Sequence, residues 1–265
     1  MNAEGIKIQI QSLTMAYGSF VVMENINAEV KRGSVFVIMG NSGSGKSTLL
    51  RHMIGLQRPA QGDVLYDGQS FWNTDDEARR TQLRKCGVLF QSSALWSSMT
   101  LAENVALPLV EYTDWSASDL EDIVRLKLAL VGLSGFEDYY PAELSGGMRK
   151  RAGLARAMAL DPEILFFDEP SAGLDPITSR NLDQLILELR DSLGATVVVV
   201  THELASIFMI ADDAIFLDGD TRTMRVQGNP KELLKHSADA KLRAFLTRGE
   251  ISGESATRAV TQSRL

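Results

Sequence analysis

The chain has 265 residues, which is enough for one large domain or two small ones with a sizeable hydrophobic core. Its hydrophobic content of 45% and charged content of 23% are ordinary for a globular protein, and its net charge of −7 provides no general attraction to nucleic acid or anionic lipid. The single cysteine, Cys86, excludes an internal disulfide, is typical of a reducing compartment, and is predicted to be a small buried residue rather than a reactive thiol.

The sequence has no pattern of an export signal or a membrane span. Residues 1–11 lack the charged stretch followed by an apolar block that marks a secretory signal. No apolar run approaches the roughly 18 residues needed to cross a bilayer. If the protein serves a membrane, we expect another chain to cross it.

Short apolar segments alternate with amphipathic ones along most of the chain. Residues 6–38 predict strands and turns, because apolar and polar residues alternate there. An apolar stripe from Leu182 to Leu193 predicts a helix that ends at Gly194. Further buried strands are predicted at 86–90, 163–167, 196–200 and 214–217. This alternation predicts an α/β fold with a mostly parallel sheet.

Two regions depart from the alternation. Residues 92–160 indicate helices, with a capping box at Ser118–Glu121 and a helix end at Gly132, so we expect a helical subdomain inserted between two strands. Residues 231–248 carry leucines among basic residues. They either dock a partner or a neighbouring subunit, or form a terminal helix on their own domain. The polar residues 249–265 predict a mobile tail.

A glycine-rich segment follows the apolar strand Val35–Met39 and precedes a helix. Glycines allow the backbone to curl around an anion with its N–H groups pointing inward, and the helix N-terminus adds partial positive charge. Lys46 can reach the β- and γ-phosphates, and Ser47 offers a hydroxyl to Mg²⁺. The predicted binding residues are Gly40, Asn41, Ser42, Gly43, Ser44, Gly45, Lys46, Ser47 and Thr48. The pattern predicts a nucleoside triphosphate site.

Two carboxylates end the apolar strand Ile164–Phe167. The carboxyl edge of a parallel sheet is where α/β proteins bind ligands. Asp168 therefore suits the Mg²⁺ shell, and Glu169 suits activation of the water that attacks the γ-phosphorus.

A second anion-binding helix start lies at Ser145, Gly146 and Gly147, ahead of a predicted helix over Arg149–Leu160. Ser145 can cap the helix, and the two glycines expose backbone N–H groups. One triphosphate does not need both helix starts from one chain. We therefore predict a head-to-tail pair of subunits, in which each closes the nucleotide of the other.

Three further polar or aromatic residues are candidates for the nucleotide site. Gln91 and His202 stand at the same edge of the sheet and are candidates for sensing the γ-phosphate or its attacking water. Tyr17 precedes the glycine-rich loop and is a candidate for stacking on adenine.

Together these residues resemble the ATP-binding cassette (ABC) family of ATPase subunits over about residues 6–230. The matching pieces are the A-loop Tyr17, Walker A Gly40–Thr48, Q-loop Gln91, signature Ser145–Met148, Walker B Ile164–Glu169, D-loop Ser171–Asp175 and switch His202. The resemblance implies a RecA-like P-loop NTPase core, an antiparallel β subdomain and an inserted α-helical subdomain. It also implies a homodimer that sandwiches two ATP, with Asp175 at the dimer seam.

The resemblance also implies roles for individual residues. Mg²⁺ would be held by Ser47, Gln91 and Asp168, and catalysis would use Lys46 and Glu169 together with Gln91 and His202. The inserted helices would grip an integral-membrane permease. This would place the subunit on the cytoplasmic face of the inner membrane.

One departure from the family pattern concerns the cargo. Most members have Gln where this chain has Met148. The run Leu144–Arg151 and the segment Leu95–Leu109 are similar to ATPases that pair with MCE-domain lipid transporters of the Mla type. The implied partners are a permease, a periplasmic MCE-domain protein and a small STAS-domain protein, with phospholipid as cargo.

Two alternatives stay open from the residues alone. The cassette could serve a transporter for an amino acid, a metal or a drug. It could also act on nucleic acid or ribosomes, although the acidic composition and the single cassette disfavour that reading, and we expect no nucleic-acid partner.

Overall fold

The structure is a computed structural model that describes residues 5–249. Ten strands and nine α-helices are present in this range. The strands are β1 Ile6–Tyr17, β2 Phe20–Lys31, β3 Val35–Gly40, β4 Gln61–Tyr66, β5 Gln69–Ser70, β6 Cys86–Leu89, β7 Ile164–Asp168, β8 Thr196–Val200, β9 Asp213–Asp218 and β10 Thr223–Gly228. The helices are α1 Lys46–Met53, α2 Asp76–Arg84, α3 Leu101–Tyr112, α4 Ala117–Leu130, α5 Gly146–Ala157, α6 Pro176–Leu193, α7 Leu204–Ile210, α8 Pro230–His236 and α9 Ala240–Leu246.

The strands form two sheets of different character. One is antiparallel, in the order β2-β1-β4-β5. The other has the order β10-β9-β3-β8-β7-β6, and only β10 pairs in the antiparallel sense. The predicted mostly parallel sheet is therefore confirmed, and the antiparallel sheet is the β subdomain that the family resemblance implies.

Each central strand of the parallel sheet is buried on both faces. In β3, Val35 and Val37 pack into a core shared with the helices, whereas Phe36 and Ile38 pack into a second core shared with α1 and the antiparallel sheet. The same division holds for alternate residues of β7 and β8. Strands covered on both sides lose the polar alternation of a half-exposed strand, which explains why these segments read as continuous apolar runs.

The segment between β6 and β7 is helical. It contains α3, α4, a 3₁₀ turn at Pro141–Glu143 and α5. Thr100 and Glu103 form a reciprocal capping box that begins α3. Inside this segment the buried Asn104 side chain bonds the backbone of Trp96, Met99 and Thr100, and so fixes the turn that leads into α3.

Two predicted helix starts in this segment were wrong. The capping box of α4 is formed by Ser116 and Asp119 rather than by Ser118 and Glu121. The upstream start prevails because it adds a backbone bond from Leu120 N–H to Ser116 O (3.0 Å). Helix α5 begins at Gly146 and not at Arg149, because the Ser145 hydroxyl accepts from Met148 N–H (3.3 Å) and the chain is already helical there.

Other elements divide between those that the sequence predicted and those that it did not. The predicted strands at 86–90, 163–167, 196–200 and 214–217 correspond to β6, β7, β8 and β9 within one or two residues. Gly194 ends α6 in the left-handed conformation, as predicted. Strands β4, β5 and β10 and helix α2 were not predicted.

Burial raises the pKa of the Cys86 thiol to about 12, which agrees with an unreactive residue.

Residues 231–248 fold back on the same chain. Leu242 and Leu246 of α9 are buried in the core that the helices share with the parallel sheet. Phe245 packs on Phe216 of β9, with ring centroids 5.2 Å apart. The structure thus supports the alternative in which α8 and α9 pack on the domain of their own chain. The predicted mobile tail lies, except for Gly249, outside the described residues.

Among residues 5–249 no helix is both long and apolar enough to span a bilayer.

A buried lysine joins the two sheets. The Lys7 side chain of β1 is fully buried and donates to Asp67 (2.7 Å) and to Glu163, which precedes β7. Burial by itself would raise the pKa of Asp67, but Lys7 and Arg32 together lower it below the usual value. The hydrogen bond from Lys7 lowers the pKa of Glu163 as well. The network therefore stabilises the contact between the sheets at pH values above the ordinary pKa of a carboxyl group.

Lys7→Met is expected to flatten the acid dependence of stability. A carboxyl with a lowered folded pKa stabilises the fold above its unfolded value and loses that effect as pH falls through the folded value. The variant should therefore lose less stability than the wild type between pH 6 and pH 3, by on the order of 1 kcal/mol after allowing for solvent exposure of the carboxylates. Urea unfolding at both pH values measures this. Lys31→Met, at an exposed site, is the control and should keep the wild-type slope. An unchanged slope for Lys7→Met would contradict this account.

Candidate active site

The register of the parallel sheet brings the site residues to one edge. Ile38 of β3 and Asp168 of β7 both lie opposite Val200 of β8, so the three residues form one row across the sheet. The chain then leaves each strand toward the glycine-rich loop, toward Glu169, and toward His202. The three groups predicted from separate motifs are therefore neighbours in space.

The glycine-rich loop takes a backbone path that other residues would resist. Gly40, Gly43 and Gly45 have φ values of +152°, +78° and +84°. A Cβ at Gly40 would lie 2.5 Å from Leu217 O and 2.6 Å from Ser44 Oγ. The loop therefore depends on glycine at Gly40 for space as well as for conformation. Gly45 is the residue before α1, so the N-terminus of that helix lies at the end of the loop.

The polar groups of the loop fit a phosphate chain. Lys46 is 7% exposed, and its ammonium donates to the carbonyl oxygens of Gly40 and Asn41, both at 2.9 Å, within its own loop. Burial lowers the pKa of Lys46, while the nearby Glu169 and Asp168 oppose this shift. The buried Ser44 hydroxyl has no hydrogen-bond partner. A buried cation and an unsatisfied hydroxyl are the groups that a bound anion would pair.

Ser47 and Asp168 are in direct contact. The Ser47 hydroxyl donates to Asp168 Oδ1 over 2.8 Å, which joins the first turn of α1 to the end of β7. Both groups supply the hard oxygen ligands that Mg²⁺ prefers, and together with phosphate oxygens and water they fit that ion. Among residues 5–249 no group of three or more His, Cys, Asp and Glu side chains is arranged for a metal. A site completed by a hydroxyl, substrate oxygens and water does not need such a group.

Glu169 is held in an unusual conformation. Its φ of +48° is in the left-handed region, which costs of order 1 kcal/mol or more for a residue with a Cβ. The residue is 7% exposed, and Oε1 lies 2.8 Å from Nδ1 of His202. Oε2 is buried and has no partner. One oxygen is therefore oriented by histidine, and the other is available to accept a proton.

The signature turn lies in the helical segment, at the start of α5. Gly146 and Gly147 begin α5 beside the start of α6, where a Cβ at Gly147 would meet the Thr178 methyl at 2.7 Å. None of the hydrogen bonds among residues 5–249 joins Ser145–Met148 to Gly40–Thr48. Within the described part of one chain, the two anion-binding helix starts are therefore not bonded to each other.

The remaining predicted residues surround the edge. Gln91 follows β6 with an exposed side chain, and its backbone carbonyl accepts from Lys150. Tyr17 ends β1 and is 49% exposed. A Cβ at Gly45 would lie 3.1 Å from Met15 and Val22, so the hairpin that carries Tyr17 flanks the loop.

Asp175 begins α6 and is exposed to solvent. Its carboxylate accepts from the backbone N–H groups of Ile177 and Thr178, both at 3.0 Å. The side-chain hydrogen bond from Thr178 also lowers the pKa of Asp175. Further along α6, the buried Asp183 accepts from Ser206 of α7 over 2.6 Å, and burial raises its pKa to about 6. The helix after the D-loop is thus bonded to the helix after His202.

Sequence reasoning missed Lys150 and Arg156 on α5. Lys150 is buried and donates to backbone carbonyls of Gln91 and Glu169. Arg156 donates to Ser93 O (2.8 Å) and Ala94 O (2.7 Å) in the turn that follows Gln91. A spacing of three between Lys150, Gly153 and Arg156 was the available signal, because it places two cations and a glycine on one helix face.

Comparison with known proteins agrees with this geometry. The pattern of the ABC transporter family matches residues 23–172. The Haemophilus influenzae intermembrane phospholipid transport system ATP-binding protein MlaF is 39% identical over 93% of this chain and 92% of its own length. The probable ribonucleotide transport ATP-binding protein mkl of Mycobacterium tuberculosis is 41% identical over 91% of this chain and 67% of its own length. The cassette MJ0796, solved as a dimer with ADP and Pi after hydrolysis, has a TM-score of 0.74 and 31% identity, covering 84% of this chain and 98% of that one.

The fold is that of a P-loop nucleoside triphosphatase with a RecA-like core, an antiparallel β subdomain and an inserted helical segment. The chain belongs to the ABC transporter family and is an ATP-hydrolysing subunit.

Lys46→Ala is expected to weaken ATP binding by at least about 100-fold, because the loop loses the charge that pairs with the phosphates. Titration with ATP by calorimetry measures the dissociation constant directly. Lys85→Ala is the matched control, since Lys85 pairs with Glu163 (3.2 Å) away from the loop. Equal affinity in Lys46→Ala and the wild type would show that the loop does not hold the phosphates.

Proposed function

We propose that two copies of this chain bind two ATP between them, and that hydrolysis drives a membrane permease. Each nucleotide would contact Gly40–Thr48 of one copy and Ser145, Gly146 and Gly147 of the other, with Asp175 at the seam. The two helix starts are not bonded to each other within residues 5–249 of one chain, and each start alone would cover only one side of a triphosphate, which supports this arrangement. The relative MJ0796 has been solved as a dimer.

Within each site, we assign the nucleotide contacts to the loop and to Tyr17, which would stack on adenine. Lys46, the α1 N-terminus and the loop N–H groups would neutralise the phosphates. Mg²⁺ would be held through Ser47, Asp168 and Gln91, and would supply positive charge to the β- and γ-phosphate oxygens.

Hydrolysis is assigned to Glu169. Its free Oε2 would take a proton from the water whose oxygen bonds to the γ-phosphorus, while the bond from that phosphorus to the ADP oxygen breaks. His202 would hold Oε1 and fix the orientation of the carboxylate, and Gln91 would help to place the water. The observation that carries this assignment is the buried Glu169 carboxylate, bonded to His202 through one oxygen and unpaired at the other.

A groove beside the helical segment fits a permease contact. It has a volume of about 280 Å³ and lies between α2, β6, α3 and α5. Tyr112 and Pro108 of α3 provide apolar surface, and the guanidinium of Arg84 lies 5.0 Å from the Tyr112 ring centre. Arg156 also lines the groove and bonds the turn after Gln91. A permease segment docked there would contact Arg156 and, through it, the turn that follows Gln91.

For the cargo, we propose phospholipid moved between the membranes of a cell envelope. The named function of the MlaF relatives supports it, as do Met148 in the signature and the segment Leu95–Leu109. The partners would then be a permease, a periplasmic MCE-domain protein and a small STAS-domain protein. The subunit would be peripheral on the cytoplasmic face of the inner membrane, attached through the permease.

A second cargo class is a ribonucleotide, which the name of the mycobacterial relative suggests. The phospholipid assignment is preferred because the MlaF relatives match along nearly their whole length, whereas this chain spans 67% of the mycobacterial protein.

Glu169→Gln tests the proposed mechanism. The change keeps the shape but removes the base, so turnover should fall by at least about 10³-fold while ATP affinity stays within threefold. The variant should also form a stable dimer with ATP, measured by light scattering. Glu163→Gln is the matched control at the opposite end of the same strand, and it should hydrolyse ATP at the wild-type rate. Normal hydrolysis by Glu169→Gln would exclude it as the base.

Purification of the intact complex in mild detergent tests the cargo. We expect an integral-membrane permease and an MCE-domain protein with bound phospholipid, identified by mass spectrometry. ATP-dependent lipid transfer between vesicles should be absent for the complex with Glu169→Gln and normal for the complex with Glu163→Gln. A solute-binding protein in place of the MCE protein, with no bound lipid, would overturn the phospholipid assignment. Stimulation of ATPase activity at saturating ATP by added ribonucleotides other than ATP would favour the alternative.

A further inference from the structure

Lys150 is a buried lysine whose bonding differs from that of the other buried lysines outside the glycine-rich loop. Lys7 and Lys127 each form an ion pair with a carboxylate. Lys150 is 6% exposed and donates instead to two backbone carbonyls, those of Gln91 and Glu169, the latter over 3.2 Å. Burial of a charged group against carbonyl oxygens alone costs free energy, so the burial of the Lys150 ammonium requires a compensating interaction.

Two carboxylates provide that interaction at longer range. Burial lowers the pKa of Lys150, and the negative charges of Asp168 and Glu169 oppose the shift. The ammonium is thus attracted to the catalytic edge while its hydrogen bonds go to the backbone. Lys150 contacts both chain segments that leave β6 and β7 toward the nucleotide site.

Helix α5 links this contact to the signature turn. Ser145 caps the helix, and Lys150 lies five positions later, about 7.5 Å along the helix axis. A helix of this kind moves as a unit, so displacement of the Ser145 turn displaces the Lys150 backbone as well.

The rest of α5 is anchored to the turn after Gln91. A Cβ at Gly153 would lie 2.7 Å from Leu89 and 3.1 Å from Ser93, so the helix approaches this turn closely. Ser93 and Ala94 have φ values of +64° and +48°, and both carbonyls accept from Arg156. The turn is therefore shaped by α5 rather than by its own conformational preference.

We propose that Lys150 is a positioning residue that couples the two nucleotide sites. When the Ser145 turn engages the nucleotide of the partner copy, Lys150 would carry the movement of α5 to the backbone of Gln91 and Glu169, which serve the chain's own nucleotide. This inference rests on the proposed roles of Ser145 and Glu169. Engagement of one site would thereby align the base of the other.

The test compares Lys150→Met with Lys127→Met in the full-length chain, alone and in the complex with its permease. Lys127 is also a buried lysine, 3% exposed, but it pairs with the carboxylate of Asp161, which lies between α5 and the start of β7, at the end of that strand opposite to Glu169. For Lys150→Met we expect kcat to fall at least 10-fold, ATP affinity to stay within threefold, and the Hill coefficient for ATP to approach 1. Lys127→Met should lower the melting temperature and leave kcat and the Hill coefficient unchanged.

Two further variants separate positioning from simple support. In the Glu169→Gln background, Lys150→Met should still dimerise with ATP, because the Ser145 turn itself is intact. Lys150→Arg keeps a cationic donor and should recover most of the turnover and cooperativity. If Lys150→Met does not fold, Lys150→Gln replaces it. Its amide is shorter by one atom and reaches a single carbonyl, so a smaller loss of the same kind is expected.

Folded Lys150→Met with wild-type kcat and Hill coefficient would overturn the proposal, as would wild-type values in Lys150→Gln when that variant is used. A parallel loss of ATP affinity or dimerisation would assign Lys150 to structural support and overturn it too. Failure of the proposed function is distinguishable, since in that case the single variant Glu169→Gln would itself hydrolyse ATP normally.

Discussion

Parallel pairing of β3, β8 and β7 is the constraint on which the site depends. Because Ile38, Val200 and Asp168 share one row, the residues that follow β8 and β7 leave the same edge of the sheet as the loop that follows β3, which continues to Gly40. The Ser47–Asp168 hydrogen bond then joins the phosphate loop to β7, and the His202–Glu169 contact joins the end of β7 to the end of its neighbour β8. A slip of one residue in either pairing would reverse the faces of a strand and separate these groups.

This edge supplies only part of what a triphosphate needs. The loop offers a buried cation, an unpaired hydroxyl and a helix N-terminus, and Glu169 offers a free oxygen. The second helix start, at Ser145, begins α5, whose Lys150 side chain bonds the backbone carbonyls of Gln91 and Glu169. In the proposed dimer, a site shared between two copies would use both starts and would make hydrolysis conditional on assembly.

Much of this architecture could be predicted from the sequence, because glycine patterns and carboxylates at strand ends occur in few kinds of structure. Gly40 is required by the approach of Leu217 O, and Glu169 follows a strand buried on both faces. Elements without such a signal were missed. Strand β4 includes Gly62 and Asp63, and β10 is half-buried at the sheet edge, so neither has the apolar run of a central strand. The start of α4 was misplaced because Ser116 and Ser118 both precede acidic residues at capping distance. Lys150 was missed because its spacing from Gly153 and Arg156 indicates a shared helix face but not the backbone carbonyls that it bonds.

The central claim is that Lys46 of one copy and Ser145 of another meet across a single ATP. Cryo-electron microscopy of the Glu169→Gln variant with ATP and Mg²⁺, in complex with its permease, tests it most directly. The account predicts two nucleotides at the interface, each with its γ-phosphate within hydrogen-bond distance of Lys46 from one copy and of Ser145 from the other. Nucleotide bound at Lys46 with the partner's Ser145 turn open to solvent would contradict it.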